Sequence, residues 1–370
     1  MKTKLKLALI GILFLRLGLN AQSFESKIQA TIDSIYAANP TSVGLMVHVE
    51  SPERGISVSL AAGYPYKEAK TSLEPDQPAL IASNIKTYVS ATILRLVEEN
   101  KLSIDQPINQ LLSDKTRTLF QHGGYNLDAI KVKQLLSHTS GIQDYANQEY
   151  INFIDKNKKY RWTRDEQLEL TIEIGAPLGN PGTTFNYADA NYLLLTEIIE
   201  QITKKPFYTA MRELLRYKTM ALNNTWMPTL EEKPLQTKTL VHQYWGTQGW
   251  DSYDIDISVD LYGGGGIACT TSDLANFIYK LFTYEIIKDT ATFNLIFTEV
   301  QTRDAEPSNY YLGLASYEYQ GFRAYGHGGF WATQAVYFPE LKTSIVVFVL
   351  ELDQGKLRDD IINLCIKLMN

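Results

Sequence analysis

The sequence predicts an α+β fold in which one antiparallel sheet, built from both ends of the chain and flanked by helices, carries a large, mainly helical inserted region. Two observations predict it. Strand-like runs occur only near the two ends, and helical periodicity dominates from about Ser83 to Glu285. Neither set of strands has enough apolar partner surface of its own, so pairing the two sets is the economical way to bury both. The expected organisation is a sheet region at 22–74 and 291–370 and a helical region at 75–290, forming one unit behind a leader at 1–21.

In chain order, Lys2, Lys4 and Lys6 precede an apolar stretch from Leu7 to Leu19, and Asn20-Ala21-Gln22 supplies a cleavage region. This is the pattern of an export signal, with cleavage expected after Ala21. Arg16 interrupts the stretch, leaving it shorter than the roughly 20 residues a bilayer span requires. A periplasmic or secreted protein without stable membrane insertion is expected. A helix follows over Phe24 to Ala38 and stops at Asn39-Pro40. Val43–Val49 and Ile56–Ala62 then read as a hairpin across Pro52, Arg54 and Gly55.

Inside the insert, Val89, Ile93, Leu96 and Val97 recur at helical spacing, as do Leu194, Leu195, Ile198 and Ile199. Thr163 with Glu166 forms a capping box, and Thr271-Ser272-Asp273 opens a helix before Leu274 and Phe277. Strands return at Tyr310–Tyr317, Ala332–Phe338 and Thr343–Leu350, and a helix over Leu357–Leu368 closes the chain.

Composition narrows the function classes. With 45% apolar and 21% charged residues over 370 positions, the chain can bury a sizeable core. A net charge of −6 gives no basic face for a phosphate backbone, which argues against nucleic-acid binding. Cys269 and Cys365 are far apart and belong to no CxxC or Cys/His cluster, so neither a disulfide framework nor a zinc site is indicated. Buried free thiols are expected.

Three segments carry candidate chemistry. Ser83-Asn84-Ile85-Lys86 stands before the strongest amphipathic helix, and a three-residue helical spacing sets the ammonium beside the hydroxyl. The helix N-terminus there favours an oxyanion. Taken alone, Ser83 reads first as an N-cap and Lys86 as a solvated charge. Tyr187-Ala188-Asp189 opens a second helix; a phenol beside an ammonium is a proton relay, whereas Asp189 alone could be an N-cap. Tyr325-Gly326-His327-Gly328-Gly329-Phe330 precedes an apolar strand, where glycines admit a ligand backbone and His327 could donate to a carboxylate or amide. By itself that segment could be a turn with a structural His.

Together the three segments resemble the signatures of the serine beta-lactamase and penicillin-binding protein superfamily, particularly its class C beta-lactamase, D,D-carboxypeptidase and esterase branch: SxxK, Tyr-x-Asn and Lys- or His-x-Gly, in that order. Val97–Asp105, Leu135–Ile142 and Gly264–Leu274 also resemble the family, so the likeness spans about residues 75 to 345. The resemblance implies a beta-lactamase/transpeptidase-like fold. It assigns Ser83 as nucleophile, Lys86 and Tyr187 as the proton-handling pair, and the N–H groups of Ser83 and Phe330 as the oxyanion hole. It makes Asp189, His327, Gly328, Gly329 and Phe330 substrate-binding residues, leaves His138 a packing residue, and requires no cofactor or metal.

Two departures stand out. Asp189 occupies the place of an Asn and, when ionised, accepts but cannot donate. It also favours a charged Lys86, moving the base role toward Tyr187. His327 replaces Lys and weakens the fixed positive charge for a substrate carboxylate. The expected function is an exported serine hydrolase acting on a small-molecule or peptide amide or ester, foremost a D-amino-acid peptide in the manner of a D,D-carboxypeptidase. An esterase, a weak beta-lactamase and a non-catalytic penicillin-binding sensor are the alternatives.

Overall fold

Residues Gly44–Ser51 (β1) place Leu45, Val47 and Val49 on one side of the strand and Met46 and His48 on the other, and all are buried. A strand with two buried faces must lie inside a sheet covered on both sides. A computed structural model, which describes residues 24–299 and 309–369, shows that arrangement. The proposed export signal at 1–21 lies outside the described residues.

β1 pairs antiparallel with Ile56–Gly63 (β2) on one side. Ala315–Tyr319 (β3), Phe322–Gly329 (β4), Thr333–Phe338 (β5) and Thr343–Val349 (β6) complete a six-stranded antiparallel sheet in the order β2-β1-β6-β5-β4-β3. The β1–β6 ladder, with Leu45 opposite Val349 and Val47 opposite Val347, is where the two ends of the chain meet. Those residues face a core completed by Phe24, Ile28 and Ile32 of the helix at residues 24–38 (α1) and by Ile361, Ile362 and Ile366 of the last helix. On the opposite face, Met46, Ala335, Tyr337, Val346 and Phe348 join the larger core of the helical insert.

The insert is organised around Ile85–Glu98 (α2), whose residues from Ile85 to Leu94 are all buried. The helix satisfies its buried Thr87 and Ser90 hydroxyls in place, by donation to the Gly313 and Leu312 carbonyls. Asp189–Thr203 (α3) packs beside it, and Thr271–Phe282 (α4) lies against the sheet, with Tyr88 of α2 stacked on Phe277 of α4 at 3.6 Å between ring centres. Leu357–Met369 (α5) closes the chain on the far face. Cys269 belongs to the insert core and Cys365 to the core under α5; both are free and buried.

Two sequence expectations are corrected. The strand expected over Tyr310–Tyr317 begins at Ala315, and the His-Gly-Gly segment expected before a strand lies inside β4 itself. Glycine normally weakens a strand, but close backbone approach requires it here. A Cβ on Gly326 would stand 1.9 Å from the Ala335 carbonyl, and one on Gly329 would stand 2.3 Å from that of Ile81. Thr163–Glu166 does form the expected capping box.

Because Phe348 is fully buried where the sheet meets the insert, Phe348→Ala should lower stability by about 3–5 kcal/mol. Denaturant unfolding would register this as a lower midpoint at unchanged slope.

Candidate active site

Ser83 lies in a one-turn 3-10 segment, Ala82–Asn84, that runs directly into α2. The turn is pinned rather than merely capped. Asn84 donates to the Ile81 carbonyl (2.9 Å) and to Thr333 Oγ1 (3.0 Å), and the Thr333 hydroxyl donates to the same carbonyl (3.1 Å). Ala82 is held at φ +45°, a left-handed conformation costly for a residue with a Cβ. Gly329 lets β4 lie against this turn. On its outer side β4 pairs with β3 only as far as Gly326, so His327, Gly328 and Gly329 form a strand edge beside Ser83.

Lys86, one helical turn on, is entirely buried, and its ammonium has polar partners on several sides. It donates to Ser83 Oγ (3.0 Å) and to the Gly264 carbonyl (2.9 Å) and is ion-paired with Asp189 Oδ1 at 2.7 Å. The Ser83 hydroxyl donates to the same Gly264 carbonyl at 3.3 Å. Burial pulls the lysine toward its neutral form, but Asp189 and the Tyr187 phenol outweigh it and hold the pKa above the ordinary lysine range.

Tyr187 reaches both Ser83 and Lys86 with its hydroxyl, and the ammonium sits 5.0 Å over its ring. Burial pushes the phenol up to about 12; the Lys86 charge works against this and Asp189 adds to it. His138 holds the Tyr187 segment. Its ring stacks on Tyr187 at 4.2 Å, its Nδ1 accepts from the Ala188 N–H at 3.1 Å, and its carbonyl accepts from the Asn186 N–H at 2.8 Å. Burial and the Lys86 charge keep its imidazole neutral.

Asp189, His327, Gly328 and Phe330 complete the predicted set. Asp189 is not the N-cap of α3: Ala188 is, and Asp189 turns its carboxylate onto Lys86. His327 has no donor left to offer. Its Nδ1–H is bound to the Gly328 carbonyl at 2.6 Å, so Nε2 accepts from the Tyr310 hydroxyl at 3.0 Å. Burial, with Lys86 nearby, drives its pKa down to about 3, and it stands as a neutral strut. A Cβ on Gly328 would meet Gln334 rather than the Ser83 turn. Phe330 follows β4 as an exposed ring against Trp245 at the rim (5.3 Å), while Trp250 of the same loop is buried and donates to Asp155.

Sequence reasoning did not single out Asp144, Tyr145, Asp260 or Tyr310. Asp144 Oδ1 accepts from the Asp189 N–H at 3.1 Å, and Asp260 packs against Gly265. Burial and the Asp189 charge push each of these two carboxyls up to about 7. The available signal was adjacency: Asp144 follows the Leu135–Ile142 stretch, and Asp260 precedes the glycine run at 263–266.

A hydroxyl, an ammonium and a phenol meeting beside a strand edge can transfer an acyl group through a serine ester. Among known proteins, protein flp of Staphylococcus aureus (strain N315) is 28% identical over 176 residues, 47% of this chain and 31% of that protein. Teichoic acid D-alanine hydrolase of Staphylococcus aureus is 22% identical over 267 residues, 70% of this chain and 59% of that protein. The chain therefore spans less than two thirds of the length of these relatives. Among solved structures, the D-amino acid amidase from Ochrobactrum anthropi SV3 complexed with D-phenylalanine superposes with a TM-score of 0.78 at 19% identity, covering 94% of this chain and all of that one. A D-stereospecific amidohydrolase from Streptomyces sp. gives 0.73 at 21% identity, covering 90% and 97%. Both likenesses concern the fold. The Beta-lactamase family pattern matches residues 52–361, most of the chain, and the protein belongs to that family.

Proposed function

We propose that the protein is a serine hydrolase that acylates Ser83 with the carbonyl of a D-amino-acid amide, ester or peptide. The observation that carries the reading is the buried ammonium of Lys86, 3.0 Å from Ser83 Oγ and tied on its other side to Asp189. In the resting arrangement Lys86 donates to Ser83, so it is not the base in that state. The reactive form is one proton short, with Lys86 still an ammonium and Tyr187 a phenolate stabilised by it.

Tyr187 then takes the Ser83 proton as Oγ attacks, and the carbonyl π electrons move onto oxygen. The backbone N–H groups of Ser83, at the start of α2, and of Phe330, after β4, receive that oxyanion. Its collapse breaks the bond to the leaving group, which takes the proton from Tyr187. Water resolves the ester by the same relay: Tyr187 removes its proton as it attacks, and Ser83 leaves reprotonated.

The neutral, fully engaged His327 supplies no charge for a substrate carboxylate. This favours D-aminoacyl amides and esters over the C-terminal carboxylates of a D,D-carboxypeptidase and over beta-lactams. The D-amino acid amidase fold neighbour and the teichoic acid D-alanine hydrolase relative support a D-amino-acid acyl group. Export and a periplasmic or secreted location follow from the leader pattern at 1–21 and complete the proposal.

Ser83→Ala should abolish labelling by a fluorophosphonate and hydrolysis of D-alanine p-nitroanilide together; undiminished labelling removes Ser83 from the mechanism. Asp189→Asn has a signed consequence. Its carboxylate raises both the Lys86 and the Tyr187 pKa, so removing it lowers both, and the proton-short form is reached at lower pH. The ascending limb of kcat/KM against pH should move toward acid; a limb that stays put or moves toward alkali contradicts the relay.

A further inference from the structure

Asp144, Asp189 and Asp260 cluster beside Lys86. Asp144 accepts the backbone N–H that opens α3 at Asp189. A Cβ on Gly264 would stand 3.1 Å from the Asp189 carboxyl carbon, and one on Gly265 would stand 1.8 Å from Asp260 Oδ2, so the glycine pair brings these two carboxyl groups onto one strip of backbone. Among the described residues Lys86 is the cation that acts on both Asp144 and Asp260, and its ammonium donates to Ser83 and Gly264 and is ion-paired with Asp189. Three carboxyl groups thus lie in the field of one ammonium whose ion pair is with Asp189 alone among them.

A second observation points the same way. The Tyr145 side chain is 1% exposed, its hydroxyl has no hydrogen-bond partner, and it lies in the field of all three carboxyls. A buried hydroxyl without a partner costs about 1–3 kcal/mol, and buried carboxyls short of a cation are similarly unsatisfied. A primary ammonium answers both, because it donates three hydrogens, carries the missing charge and can give one hydrogen to the phenol oxygen. Asp144 and Asp260 are half-buried rather than sealed from solvent.

We propose that Asp144 and Asp260, with the Tyr145 hydroxyl, form a subsite for the free α-ammonium of the residue whose carbonyl acylates Ser83, which makes the enzyme selective for unblocked D-aminoacyl amides and esters over N-acylated ones. The proposal rests on the Ser83 reading above and deepens it by naming the end of the substrate that is recognised.

The test compares kcat/KM for D-alanine p-nitroanilide and N-acetyl-D-alanine p-nitroanilide, and reads their ratio, which does not depend on the overall activity of a preparation. The wild-type enzyme should favour the free amine by ~100-fold or more, since blocking it removes the charge and leaves buried groups unpaired. Asp260→Asn should bring the ratio down at least ~10-fold, mainly through KM for the free amine. Asp144→Asn is the second variant and should act in the same direction, so the test survives if one protein fails to fold. A wild-type ratio near one, or variants that lose both substrates in equal proportion, overturns the subsite. Fluorophosphonate labelling of Ser83 without turnover of either anilide overturns it too, whereas loss of labelling itself strikes the Ser83 reading beneath it.

Discussion

The ion pair between Lys86 and Asp189 is the constraint on which the site depends. Lys86 is fully buried and the Asp189 side chain is 15% exposed, so both give up much of their hydration to meet at 2.7 Å. Removing two ions from water costs several kcal/mol each, and apolar residues of similar volume often serve stability as well or better. What the pair supplies is chemical. It holds an ammonium against Ser83 and beneath Tyr187 and keeps that ammonium charged, which leaves the phenol as the group that must change protonation.

The fold brings the pair together from three distant parts of the chain. α2 carries Lys86 into the core with Ser83 on the turn before it, α3 brings Asp189 at its first turn, and the backbone after Asp260 lays the Gly264 carbonyl across Ser83 and Lys86. The sheet contributes from the other side. Because Gly329 has no side chain, β4 reaches the Ser83 turn at backbone distance, and Thr333 of β5 ties the two together through Asn84. Since that sheet is closed by the β1–β6 ladder, both ends of the chain hold up a site most of whose residues lie between them.

Much of this was legible in the sequence because periodicity and spacing are local properties. The continuous apolar run within Thr343–Val349 and the helical repeat after Lys86 announce a buried strand and a buried helix before any contact is known. The Ser83, Lys86 and Tyr187 signatures are likewise short and ordered. What escaped depends on partners. β4 was misjudged because its glycines weaken a strand in isolation and are needed only once Ile81 and Ala335 lie against it. Asp189 reads as a helix cap from its own segment, and only the likeness to a known family sets it against a lysine about a hundred positions away. His327 looked like a free donor because Tyr310 and its own neighbour's carbonyl occupy its nitrogens only in the folded chain. Asp144, Tyr145 and Asp260 gain their meaning from being near one another.

The claim that the resting lysine is locked in its charged form can be measured directly. Heteronuclear NMR of the Lys86 side chain, assigned by comparison with a Lys86→Arg protein and followed from about pH 6 to about pH 10, spans the range up to the ordinary lysine pKa. The account predicts ammonium shifts that do not titrate across that range. A midpoint near neutrality, with a neutral amine at pH 8, would make Lys86 the free base and contradict the role given to Asp189.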